Sequence, residues 1–253
     1  MINSATIGAL VFACLSGAVL LGMRVRAALP EHHLNPEAKD AVKVGMGLVA
    51  TMAALVLGLL VASTKGAYDT QKSEVTQMAA KVVFLDRVLA NYGSETAETR
   101  DLLRRSFTSA ANRMWPDRKS SQPAQLDPSV SSGEAFFHSI QKLSPQNDVQ
   151  RSLKSQAAQV AIDVGQMRWL LFEQTGTSIS LPMLIILISW LAIIFMSVGL
   201  FAPPNATVIV ALMLAALSVS GAIFLILELD MPFDGVIQIS PAPMRQALIH
   251  LGH

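Results

Sequence analysis

Charged residues are scarce in this chain, at 15% of 253 positions, against about 25% in a typical soluble domain. The formal net charge is only +1, so bulk electrostatics give no support for a nucleic-acid partner. Cysteine is almost absent. Cys14 lies within an apolar run, which excludes an intramolecular disulfide and a CxxC metal site. Aromatic residues make up 6%, and no stretch alternates apolar and polar residues as a half-buried strand would. Catalytic signatures are missing too: GxSxG, HExxH, GxGxxG and the phosphate-binding GxxxxGK loop do not occur. The reading is a non-enzymatic chain that needs no cofactor and no metal. His32 and His33, flanked by Glu31 and Glu37, read as a solvated loop, because ligands at fixed helical spacing are lacking.

What is abundant is apolar surface: 52% of residues, with a mean hydropathy of +0.46. Four charge-free runs account for it, Thr6–Met23, Val44–Ser63, Ile179–Ala202 and Ala206–Leu227. Each reaches the roughly 20 residues that cross about 30 Å of hydrocarbon. The first has no basic stretch before it and no small-residue cleavage site after it, so it reads as a retained helix, not a secretory signal. Residues 1–63 and 179–229 are then two transmembrane hairpins, 64–178 an inserted helical domain, and 230–253 a terminal turn and amphipathic helix. Ala5, Ala9, Ala13 and Gly17 form a four-residue repeat, as do Ala50, Ala54, Gly58 and Ala62. Such stripes let backbones approach where lipid removes the hydrophobic drive, and they read as packing within the chain.

The insertion reads as a helical domain, with no strand pattern. Val75, Met78, Val82, Leu85, Leu89 and Tyr92 alternate three- and four-residue steps, a heptad seam that Gly93 ends. Ser94 is placed to cap a second helix carrying Leu102, Leu103, Phe107, Ala110 and Met114, which stops at Trp115-Pro116. Pro116–Ser132 reads as a surface loop. A short helix, Glu134–Leu143, and a long one from Pro145 to Glu173 follow, the latter with Val149, Leu153, Val160, Val164, Met167 and Leu171 on one side. Gly176 is expected to loosen the junction with the third span.

The last span ends in acids. Glu228, Asp230 and Asp234 arrive with Pro232, Phe233 and Gly235, the arrangement of a helix leaving hydrocarbon for the headgroup level. Carboxylates at a helix C-terminus oppose its dipole by about 0.3–1 kcal/mol each. The cluster therefore reads either as structural, with partners elsewhere, or as part of an ion pathway. Ser240-Pro241 offers an N-cap with proline at N1. Met244, Ala247, Leu248 and Leu251 stripe the final helix, which could lie on the bilayer or dock on a neighbouring subunit. Basic residues do not fix orientation: Arg24, Arg26, Lys39 and Lys43 oppose Lys65, Lys72, Lys81 and Arg168.

Two hairpins around a helical domain, with the last span ending in Glu228-Leu-Asp-Met-Pro-Phe-Asp-Gly235 and the tail Val236–Leu248, resemble the bestrophin-like bacterial membrane proteins, a family of undefined function. More distantly the chain is similar to the bestrophin anion channels. The resemblance implies a homo-oligomer, a pentamer by preference, in the bacterial inner membrane, with the large domain and both termini cytoplasmic. It implies a chloride-conducting pore lined by Val44–Ser63, with Thr51, Leu55, Leu59 and Ala62 toward the axis. Lipid and an inorganic anion are the implied partners. That segment holds no aromatic residue, so an aromatic neck is not expected, and no run of acids follows Gly235 to form a calcium clasp. A non-conducting sensory or scaffold protein, whose helical domain binds a partner, stands as the alternative.

Overall fold

A computed structural model describes residues 3–30, 36–116, 132–174, 181–203 and 205–252. His32-His33, most of the loop after Pro116 and Gly176 lie outside the described residues. Among those described, the structure is all-helical, with no strand. The helices are α1 (Ser4–Ala28), α2 (Pro36–Tyr92), α3 (Ala97–Met114), α4 (Ser132–Gln141), α5 (Asp148–Glu173), α6 (Leu181–Phe201), α7 (Ala206–Leu229) and α8 (Ala242–His250). Four of them, α1, α2, α6 and α7, are long and apolar enough to cross a membrane. The second span and the helix expected to follow it are one element, the 57-residue α2, since neither Thr64 nor Gly66 is flanked by a proline that would stop it.

The chain forms two compact units, each assembled from two separate stretches: Met1–Ala67 with Ser178–Asp230, and Tyr68–Thr177 with Met231–His253. In the first unit α1 packs on α6 and α7, with Leu15, Val19, Leu187, Ala216, Ile223 and Ile226 buried together. The closest approach is made by glycine. A Cβ on Gly22 would stand 2.1 Å from the Met196 carbonyl oxygen, and one on Gly199 2.4 Å from that of Val19. Arg26, in the last turn of α1, donates from Nη1 to the Ala202 carbonyl just past α6, satisfying an orphan acceptor at a negative dipole end.

This corrects the small-residue reading. Ala5, Ala9, Ala13 and Gly17 are exposed, as are Ala54, Gly58 and Ala62. The packed face of α1 is instead Ser4, Gly8, Val11, Leu15, Val19 and Gly22. The reason is physical: a spanning helix is apolar all round, so hydropathy offers no contrast between its lipid and protein faces.

The second unit has a hydrophobic core of its own. All six seam residues of α2, Val75 to Tyr92, are buried in its core, with Leu103, Phe107 and Met114 of α3, Phe136 and Ile140 of α4, and Leu171 of α5. Gly93 takes φ 139°, a backbone that L side chains avoid. Ser94 does not cap α3. It opens a 3-10 turn to Thr96, whose hydroxyl donates to the Leu89 carbonyl at 2.6 Å. Val149 proves exposed, one turn before the buried face of α5 begins at Leu153 and Ala157. The final helix is also corrected: Met244 and Leu251 are fully buried in this same core, and α8 packs on α3. Its stripe is spent within the chain's own core, while Ile249 of the same helix stays exposed.

Candidate functional site

The face that the family resemblance assigns to a pore lining is on the side of α2 that the first unit leaves open. Leu55 is 70% and Leu59 62% exposed, and Thr51 and Ala62 are exposed with them. Ala53, Leu60 and Thr64 lie on the opposite side and are buried. The spacing 51, 55, 59, 62 follows the helical repeat, so the four share one stripe. Thr51 donates its hydroxyl to the Gly47 carbonyl at 2.9 Å, which spends its donor within the helix. The stripe is therefore uncharged and largely apolar. Gly58, beside it, has nothing within 4 Å of its Cβ position.

The acidic motif divides between the two units. Glu228 and Asp230 belong to the first, Asp234 to the second. Glu228 is 1% exposed, in the last turn of α7. Asp230 is the C-cap of α7, its N–H donating to the Ile226 carbonyl. The two carboxylates leave the helix in different environments, as i and i+2 positions should. In the second unit Asp234 closes a turn, its N–H donating to the Met231 carbonyl at 3.2 Å. Gly235 follows at φ 100°. Among the described residues, no three His, Cys, Asp or Glu side chains lie together as metal ligands.

The Pro-Phe turn is anchored. Phe233 is buried and meets Trp115 edge-on, ring centroids 5.7 Å apart. Trp115 Nε1 donates to the Ile239 carbonyl at 2.8 Å, and the Ile239 N–H donates to the Pro232 carbonyl at 2.8 Å. Tyr68 adds a hydroxyl bond to the Gln238 carbonyl at 3.2 Å. Val236 and Ile237 form a bend. Pro241 takes the N-cap position of α8, not N1, its carbonyl accepting from the Arg245 N–H. Ser240 accepts from the Ala242 N–H at 3.2 Å, so the hydroxyl still satisfies an orphan donor.

Three polar features of the second unit escaped the sequence reading. Asp86 of α2 is 1% exposed and takes both a 2.8 Å bond from Arg100 Nε and a 2.8 Å bond from Arg100 Nη2. That bond raises the Arg100 pKa, against its partial burial. The Gly252 N–H also donates to Asp86, at 3.3 Å. Lys81 donates to Asp163 at 2.5 Å, and this bond, then one from Gln159, holds the Asp163 carboxyl below its usual range. The third is a cavity of about 720 Å3 lined by α2, α3, α4, α5 and Met244, with Arg168 in its wall. Burial, then the neighbouring Arg113 charge, lowers the Arg168 pKa. Arg168 had a sequence signal: it falls at helical spacing on the apolar side of α5, four residues after Val164.

Comparison with known proteins agrees with this architecture. No curated protein matches the sequence. The fold is similar to crystal structures of single-substitution variants of a bacterial bestrophin homolog from Klebsiella pneumoniae. One superposes with a TM-score of 0.67 at 14% identity, over 94% of this chain and 96% of that one. A second gives 0.64 at 15%, over 95% and 97%. A third gives 0.61 at 14%, over 92% and 96%. The model of the bestrophin-like domain matches residues 13–244. The chain belongs to the bestrophin-like domain family.

Proposed function

We propose that this chain is one subunit of a homo-oligomeric membrane channel, pentameric and anion-conducting, with α2 at the axis. The observation that carries the reading is the open stripe Thr51, Leu55, Leu59 and Ala62, opposite the side of α2 that packs into the four-helix core. The exposed small residues beside it, Ala54 and Gly58, suit close approach of neighbouring helices. In this reading Leu55 and Leu59 form a hydrophobic constriction that closes by dewetting. The spans run as hairpins 1–63 and 179–229 in the bacterial inner membrane, the helical region 64–178 facing the cytoplasm and 230–253 completing it. Glu228, Asp230 and Asp234 stand where the last span leaves hydrocarbon, as a structural or ion-pathway cluster.

The sensory alternative had its motive in the heptad seam. That seam is spent in the chain's own core, so a dimer paired through it has no apolar face to use. The test is chloride efflux from sealed liposomes containing the purified protein, with subunit number measured on the same sample. Efflux by a ring of five, raised by Leu55→Ala or Leu59→Ala, is the expected result. Silence from a well-inserted oligomer across a range of voltages refutes conduction, and efflux indifferent to both substitutions refutes the α2 pore.

A further inference from the structure

We propose that the cavity of the second unit is a binding site for an amphipathic anion, a monocarboxylate on an apolar body, with its head on Arg168. The cavity, about 720 Å3, falls in the ~300–1,000 Å3 range of small-molecule sites. Its floor is apolar: Met78, Val82, Phe107, Met114 and Met244, all buried. Methionines give such a floor a shape that adapts to different apolar bodies. Its mouth carries Trp169, 54% exposed, and Glu134 and His138, also exposed.

The charge selects the ligand. Among the described residues Arg168 makes no ion pair, and Glu134, the carboxylate of the lining, does not reach it. Arg113 stands close enough to repel it, and Arg113 Nη2 is buried with no hydrogen-bond partner. The Arg168 guanidinium in the wall of this apolar cavity is a fork-shaped demand for an acceptor that brings its own negative charge. A neutral apolar molecule would fill the floor and leave that demand unmet. This inference does not depend on conduction, and its readout is binding.

Binding is measured on the full-length protein in nanodiscs, with 1-anilinonaphthalene-8-sulfonate as the fluorescent probe and empty nanodiscs subtracted. Decanoate and decanol then compete for it. We expect saturable binding of one probe per chain, with decanoate displacing it at about tenfold lower concentration than decanol, as for a charged hydrogen bond. Arg168→Gln should remove that preference and leave decanol within about twofold; Arg168→Lys should keep part of it. Gly165 lines the cavity and has nothing within 4 Å of its Cβ position. Gly165→Leu should therefore fill the cavity and abolish binding, while a better helix former keeps the fold. Absence of saturable binding in the oligomer, as when a neighbouring copy covers the mouth, overturns the proposal. So does equal competition by decanoate and decanol, or wild-type binding by Gly165→Leu.

Discussion

Removing either partner of the Asp86–Arg100 pair should destabilise the protein, and unequally. The two side chains differ in exposure, 1% for Asp86 and 21% for Arg100. Breaking a buried ion pair costs about 3–5 kcal/mol, because a charge is left without compensation. Arg100→Met leaves a buried carboxylate that keeps the Gly252 N–H as a donor but loses its cation, and should cost the full ~3–5 kcal/mol. Asp86→Asn takes the carboxylate from a guanidinium that is partly exposed to water, so the expectation falls to about 2–3 kcal/mol. The double variant Asp86→Leu with Arg100→Met removes both charges and should cost much less than the sum of the single changes. The assay is thermal unfolding of the detergent-solubilised protein followed by tryptophan fluorescence. At roughly 2–4 °C per kcal/mol for a chain of this size, the single variants should melt about 5–15 °C lower. Additive losses, or a costlier Asp86→Asn than Arg100→Met, would refute the reasoning.

Further outcomes follow from other contacts. Gly199→Val should separate α1 from α6, since even a Cβ would stand 2.4 Å from the Val19 carbonyl oxygen; crosslinking between cysteines placed on the two helices should drop, whereas Gly17→Ala should leave it unchanged. Asp163 has a depressed pKa in the folded protein, so its stabilising effect is complete above the ordinary carboxylate range near ~4 and is lost as pH falls through the lower folded value. Wild type should therefore outlast Asp163→Asn at pH 6, with the gap closing toward pH 3 in a melting series. Gly235→Ala forces a side chain into φ 100° and should cost about 1–2 kcal/mol in the same melts.

The parts legible in the sequence are those where one face of an element meets water. Val75 to Tyr92 could be placed in a core because polar residues such as Lys72, Thr76 and Gln77 mark the other side of α2. The spans themselves were equally plain, from length and the absence of charge. Which face of α1 packs was not legible: Leu15 and Leu21 are chemically identical, yet one is buried and the other 51% exposed. Asp86 was hidden for a different cause. Its partners lie on α3 and at Gly252, and nothing local announces a carboxylate that will be neutralised from so far along the chain. The open stripe of α2 was named through family resemblance; periodicity alone would not have separated it from a lipid-facing stripe.

The interleaving of the two units constrains the order in which the chain can mature. Met231–His253 completes a core whose first residues lie in α2, so Leu85 and Met78 wait for Met244 until synthesis is all but finished. At about 5–20 residues per second, the seam lacks its last cover for roughly ten seconds or more after α2 emerges, even once α3, α4 and α5 have been made. An apolar helix face left partly open for that time is an aggregation hazard and a target for holding factors. Loss of the last two dozen residues would then show first as a failure of biogenesis, with truncated chains degraded before any mature property could be assayed.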